Sequence, residues 1–409
     1  MLKDDCLYIV KEAIARVLPD EAVKRALGGR EFPNGRLILV SVGKAAWSMA
    51  SAAHSVLGTR IDRGIVITKH GYSKGAIGDL SVREAGHPVP DADTFSATRE
   101  ALELTRGLAP EDTVLFLLSG GGSALFEATV IPEDELRDIT GQLLACGADI
   151  VEMNTVRKRL SGVKGGRFAR HCAPARVFTV VLSDIIGDPL DMIASGPAYP
   201  DASTCADAVR IAEKYALHLS DAAWAALKTE TPKTLSNTET HITGSVRELC
   251  AAAAGACREL GYEPQVLTDC LDCEAREAGR FLASIARSHQ NAGRSIAFIA
   301  GGETVVHITG RGRGGRNQEL ALAAADGIAG LEDTAVFSVG SDGTDGPTDA
   351  AGGYADGGSL AALRALGFDT YDVLRRNDSY TALKAVDSLI FTGATGTNVN
   401  DVAVILIKR

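Results

Sequence analysis

Aromatic residues are scarce in this 409-residue chain, at 5% of the total, while alanine and glycine are abundant. That balance suits helices packed closely on parallel sheets and works against an all-β sandwich. A basic excess is also lacking: 42 Lys and Arg stand against 52 Asp and Glu, a formal net charge of −10. Nucleic acid, which is held through a basic face, is therefore not an expected partner, whereas small anions held by local Arg and Lys remain open. No apolar run reaches membrane-spanning length. The opening "MLKDDCLYIVKEAIARVLPDEAVKRAL" reads as two amphipathic helices without the hydrophobic segment of a signal peptide, so no membrane partner is expected. Short-spaced cysteine pairs are missing apart from Cys270-Leu-Asp-Cys273. Neither a zinc ribbon nor a disulfide framework is indicated, and a reduced cytoplasm is the expected setting.

The chain is longer than one hydrophobic core usually fills, and two domains are expected. Two regions show the same rhythm of apolar run, glycine turn and helix. The first contains "RLILVSVGKAAWSMASAAHSVL", "RGIVITKHGY", "TVLFLLSGGGSALFE" and "ARVFTVVLSDIIGD", with helical patterns at Asp93–Arg106 and Glu133–Cys146. Strands this uniformly apolar are expected to be covered on both faces, which predicts a parallel α/β sheet. The polar stretch "LKTETPKTLSNTETH" marks a linker near 230–240. The expected architecture is a Rossmann-like N-terminal domain at 1–236 and a smaller α/β domain at 237–409, with the active site in the cleft between them. Within the second region, a strand is expected at Thr304–Thr309 and a helix at Asn317–Gly327.

The glycine turns carry the chemistry. Ser119, Gly120, Gly121, Gly122 and Ser123 follow the apolar run Val114–Leu118, and such bare backbone beyond the carboxyl end of a strand lets N–H groups converge on an anion. Lys44 in "VGKAA" ends another strand, although the P-loop pattern is absent there. Asp184 and Asp188 in "LSDIIGD" suit Mg²⁺ or a hydroxyl proton, and Asp342, Asp345 and Asp349 in "SDGTDGPTD" suit a hard cation, against a bland reading of both as turns. Gly310 to Gly315 in "GRGRGG" formally match G-x-G-x-x-G, the dinucleotide fingerprint of a dehydrogenase. The crowding of Arg311, Arg313 and Arg316 favours instead a clamp on a transferring phosphate, with Gly312, Gly314 and Gly315 against the anion. His87 reads as loop structure. Arg157, Arg159, Lys164 and Arg167 form a basic stretch that suits an acidic substrate or a solvated helix, with Asn154 and Lys164 as candidate contacts.

In this order "VSVGKAAWSMA", "REAGHPVPD", "LLSGGGSALFE", "MNTVRKRLSGVKGGRFA", "LSDIIGDPLDMIASGP", "GGETVVHITGRGRGGRNQELALAAA", "SVGSDGTDGPTDAAGG" and "TGATGTNVNDVAV" resemble the type II glycerate kinases, the glycerate 2-kinase family with a C-terminal MOFRL domain. The resemblance covers nearly the whole chain. It implies ATP- and Mg²⁺-dependent phosphorylation of D-glycerate at the 2-hydroxyl, with Lys44 and Arg316 as the catalytic cations. The Ser119–Ser123 and Gly312–Gly315 turns then fall to nucleotide phosphate, Asn154, Lys164 and Asp184 to substrate, and Asp188, Asp342 and Asp345 to metal. Hydroxypyruvate reduction with NAD(P)H is the alternative, a non-enzymatic nucleotide or sugar-acid binder is a third reading, and a homo-oligomer is left open.

Overall fold

The apolar runs ahead of the glycines become the strands of two six-stranded sheets in the computed structural model, which describes residues 2–409. The first sheet holds β1 (Leu37–Val42), β2 (Arg63–Lys69), β3 (Ser81–Ala85), β4 (Thr113–Leu118), β5 (Arg176–Leu182) and β6 (Thr238–Gly244). They lie in the order β3-β2-β1-β4-β5-β6. The pairings from β3 through β5 are parallel. Every residue of β1 and β4 is buried, as expected for central strands with helices on both faces. After β1 the chain adds strands to one side of it, and β4 and β5 go to the other. The switch point of the topology therefore lies at the carboxyl ends of β1 and β4, which pair in register up to Val42 and Leu118.

The second sheet holds β7 (Glu263–Leu271), β8 (Ile296–Gly302), β9 (Thr334–Gly340), β10 (Gly352–Asp356), β11 (Leu389–Ile390) and β12 (Asp401–Ile407), in the order β11-β10-β9-β12-β8-β7. It is mixed rather than a repeat of the first. Only β7 and β8 pair in parallel, and β12 inserts antiparallel between β8 and β9. Its first residue, Asp401, is thereby set beside Gly302 and Gly340, at the carboxyl ends of both neighbours. The strand expected at Thr304–Thr309 is absent; β8 ends at Gly302 and an irregular loop follows. Ile308, 81% exposed, shows that the apolar alternation there faces no core.

The compact units are Pro19–Ser183 with Asp188–Thr243, and Met1–Leu18 with Asp184–Gly187 and Gly244–Arg409. The expected boundary at 236/237 thus falls inside the first unit, just ahead of β6. The helix Leu2–Arg16 also leaves the N-terminal half: its buried Cys6, Ile9, Val10 and Ala13 share a core with Val246, Leu249, Ala253 and Cys257, and with Phe337 and Val404 of the second sheet. An amphipathic face shows which residues must be buried but not against which partner, so sequence order misled here. Ile9→Ala is expected to lower stability by about 2–5 kcal/mol through the cavity it leaves, read as a fall in the urea midpoint; an unchanged midpoint contradicts this packing.

Candidate active site

At the switch point the two loops are stitched together. Ser119 N donates to Val42 O (3.0 Å), Lys44 N to Gly120 O (2.9 Å) and Ala45 N to Ser119 Oγ (3.1 Å). The Ser119 side of the loop is thus occupied by protein. Among the described residues, nothing accepts from the N–H groups of Gly120, Gly121 or Ser123. Three free donors on a half-exposed turn make a cradle for an oxyanion. Gly121 is held at φ 84°, where a side chain is strained, and a Cβ there would lie 2.9 Å from His87 Cδ2 and 3.3 Å from Lys44 Cγ. His87 and the exposed Lys44 therefore flank the cradle. Burial, then the charges of Lys44 and Lys69, hold the His87 pKa below its usual value, so the ring is neutral at pH 7.

Behind the cradle, Ser123 Oγ and Ser195 Oγ are 2.8 Å apart, and Ser195 Oγ donates to Asn154 Oδ1 (2.8 Å). Ser195 and its neighbour Ala194 are both left-handed, with φ of 61° and 50°. Consecutive strained residues of this kind persist only where the surroundings fix them. Here the Ala194 methyl packs on Gly122, where an added Cβ would come within 2.8 Å of it. Asn154 is placed by the helix Ile150–Arg159, which Asp149 and Glu152 start with reciprocal capping bonds.

Lys164 does not face a substrate. It is wholly buried, with Nζ 2.6 Å from Glu127 and 3.0 Å from Phe126 O. Burial draws its pKa down to about 8 against the attraction of Glu127. Two of its basic neighbours pair in the same way: Lys158 lies between Asp191 (3.3 Å) and Asp201 (3.1 Å), and Arg159 reaches Ser203 and Glu230. Asp184 is half-buried just past β5. Asp188, left-handed at φ 51°, keeps one buried carboxylate oxygen without a hydrogen-bond partner.

In the second unit Arg316 opens the helix Arg316–Gly327. Its Nε (2.5 Å) and Nη2 (3.0 Å) fork onto Asp401, and Nη1 donates to Glu303 (2.8 Å). Burial lowers the guanidinium pKa, but the Asp401 bonds outweigh this and the net shift is upward, so Arg316 stays charged. Asp345 is not available to a metal as expected. Its carboxylate accepts from Asn317 N (3.2 Å) and Gln318 N (2.9 Å), the first free donors of that helix, and the residue is 2% exposed. Asp342 is half-buried, with Oδ1 accepting from Thr344 N. Among the described residues the group close enough to share a metal is His70, Asp91 and Asp93, where Asp91 already caps the helix Ala92–Leu104.

The glycines of the 310–315 loop are explained by the protein itself. A Cβ at Gly310, Gly312, Gly314 or Gly315 would collide with Arg376, Asp378, Ser379 or Asp345 respectively. Because the loop follows no strand and its glycines fit neighbouring chain, neither the dinucleotide fingerprint nor a phosphate contact at Gly312, Gly314 and Gly315 is needed to account for it.

Comparison with known proteins identifies the family. Residues 5–228 match the domain of unknown function DUF4147, and residues 296–401 match the MOFRL family. A curated D-glycerate 2-kinase of Thermotoga maritima is 52% identical over 99% of this chain and 98% of its own length. The chain belongs to the glycerate 2-kinase family that carries the MOFRL domain. The crystal structure of glycerate kinase from Thermotoga maritima superposes with a TM-score of 0.96, covering 99% of both chains. A glycerate 2-kinase of Pyrococcus horikoshii is 38% identical over 98% of this chain and 96% of its own. A relative from Agrobacterium vitis, 40% identical over 98% of this chain and 93% of its own, is named for hydroxypyruvate reduction.

Within this family member, Asp401, Glu303 and Ser195 escaped the reading of the sequence. Asp401 alone left a signal, as a carboxylate at the head of the apolar run "VAVILI". Burial raises the Asp345 pKa from 3.8 to about 6 despite the two backbone donors. The folded chain then binds a proton that the unfolded chain has released, so this group makes stability fall as pH rises from about 4 to about 6. The stability of wild type relative to Asp345→Asn should decline over that window and level off above it, measured as urea midpoints. A difference independent of pH contradicts the assignment.

Proposed function

We propose that this chain transfers the γ-phosphoryl group of ATP to the 2-hydroxyl of D-glycerate, giving 2-phosphoglycerate and ADP. The observation that carries the reading is the cradle at the switch point: three acceptor-free N–H groups with the Lys44 side chain flanking Gly121. The names of the Thermotoga and Pyrococcus relatives support the substrate and the position of the hydroxyl. Phosphoryl transfer asks little covalent chemistry of a protein; it requires the acceptor oxygen in line with the γ-phosphorus and cations on the equatorial oxygens. The oxygen–phosphorus bond to glycerate forms as the bond to ADP breaks. Lys44 supplies one cation. Arg316 supplies the second, with the Nη hydrogens that Asp401 and Glu303 leave free. Asn154 and Asp184 are assigned to the acid.

Mg²⁺ is held on substrate phosphates with one or two carboxylates. Asp188, with its orphaned buried oxygen, and the half-buried Asp342 fit that part, and Asp345 does not. An ion held there would neutralise charge on the phosphate oxygens. The eight free cysteines suit a cytoplasmic enzyme. Hydride transfer finds no support at Gly310–Gly315.

Lys44→Ala should lower kcat by on the order of 100-fold or more with little change in thermal midpoint, followed as D-glycerate-dependent ADP release. Arg316→Ala should lower both rate and stability, because it leaves Asp401 buried without its partner. Adding Asp401→Asn should then restore stability but not turnover. A double variant that regains turnover contradicts a direct role for Arg316.

A further inference from the structure

A guanidinium is permanently charged, and burying it without an anion or a set of acceptors is costly. Arg159 and Lys158 obey this through Asp201, Asp191 and Glu230. Arg157, on the same helix Ile150–Arg159, does not. Its one hydrogen bond runs from Nη2 to Ser123 O at 3.4 Å, and its Nε is buried without any partner. The carboxylate whose charge reaches it is Glu127, which Lys164 already occupies at 2.6 Å. Two cations share one carboxylate beneath the cradle, leaving a positive charge uncompensated. Burial accordingly lowers the Arg157 pKa, with Glu127 opposing. Unlike Lys164, Arg157 keeps some exposure, so a ligand can reach it.

We propose that Arg157 binds the carboxylate of the acid substrate, with the Ser123 hydroxyl beside it and the buried Ser195 and Asn154 side chains holding that hydroxyl in place. Arg157 touches the cradle at Ser123, whereas Lys44 flanks it at Gly121. The lysine end suits a phosphoryl group, and the end with a guanidinium fork and a hydroxyl suits a hydroxy acid. The identity of that acid rests on the kinase reading above.

The test replaces Arg157 by methionine, which keeps bulk and removes the unmatched charge. Arg157→Met should have an unfolding midpoint equal to or above wild type, a KM for D-glycerate raised roughly 10- to 100-fold, and an unchanged KM for ATP. D-Glycerate alone should raise the thermal midpoint of wild type but not of Arg157→Met, nor of Arg157→Gln, which serves if the methionine variant fails to fold. A raised KM for ATP with that for glycerate unchanged overturns the assignment in favour of nucleotide phosphate. A lowered midpoint with both KM values unchanged overturns it in favour of a structural charge. If wild type forms no 2-phosphoglycerate, the kinase reading fails, and the glycerate-dependent thermal shift still decides the site.

Discussion

Two buried parallel strands, β1 and β4, end side by side in register while the chain leaves them toward opposite edges of the sheet. Much of the first unit's chemistry depends on that constraint. No crossover covers the gap between the two strand ends, so the loops that follow must satisfy one another's backbone, and Ser119 does so with its N–H, hydroxyl and carbonyl neighbours. The donors that remain, at Gly120, Gly121 and Ser123, have no acceptor among the described residues. Lys44 stands beside them because it is the second residue after β1.

The second unit reaches a comparable end by a different route. An antiparallel β12 delivers Asp401 to the carboxyl ends of β8 and β9, and Asp401 fixes the fork of Arg316. Most of the buried charges named in both units are met by the protein. Lys158, Arg159, Lys164 and Arg316 are matched by carboxylates, Arg167 by backbone carbonyls, and Asp345 by helix donors. Arg157, beside the cradle, has one long bond to Ser123 O, and that shortfall is what directs attention to a ligand.

The first sheet was legible because β-branched apolar runs ahead of glycine leave few other solutions, and the positions of Lys44 and Ser119–Ser123 follow from the strand ends. Features that depend on partners were not legible. The helix Leu2–Arg16 shows an apolar face but not the Val246–Glu259 helix that covers it. Lys164 and Arg157 look alike in the sequence; only the fold gives Lys164 the direct bond to Glu127 and leaves Arg157 with a single long bond to Ser123 O. The glycines at 310–315 seemed to await a phosphate, yet residues 376–379, some 60 positions later, explain most of them.

The role proposed for the cradle is phosphoryl transfer. The most direct measurement is ³¹P NMR of the protein with Mg-ATP and D-glycerate, with NADH and NADPH oxidation by hydroxypyruvate followed on the same preparation. A phosphomonoester resonance of 2-phosphoglycerate, together with ADP and no hydride transfer, is the predicted result. Oxidation of either nicotinamide nucleotide with no phosphomonoester formed would contradict it.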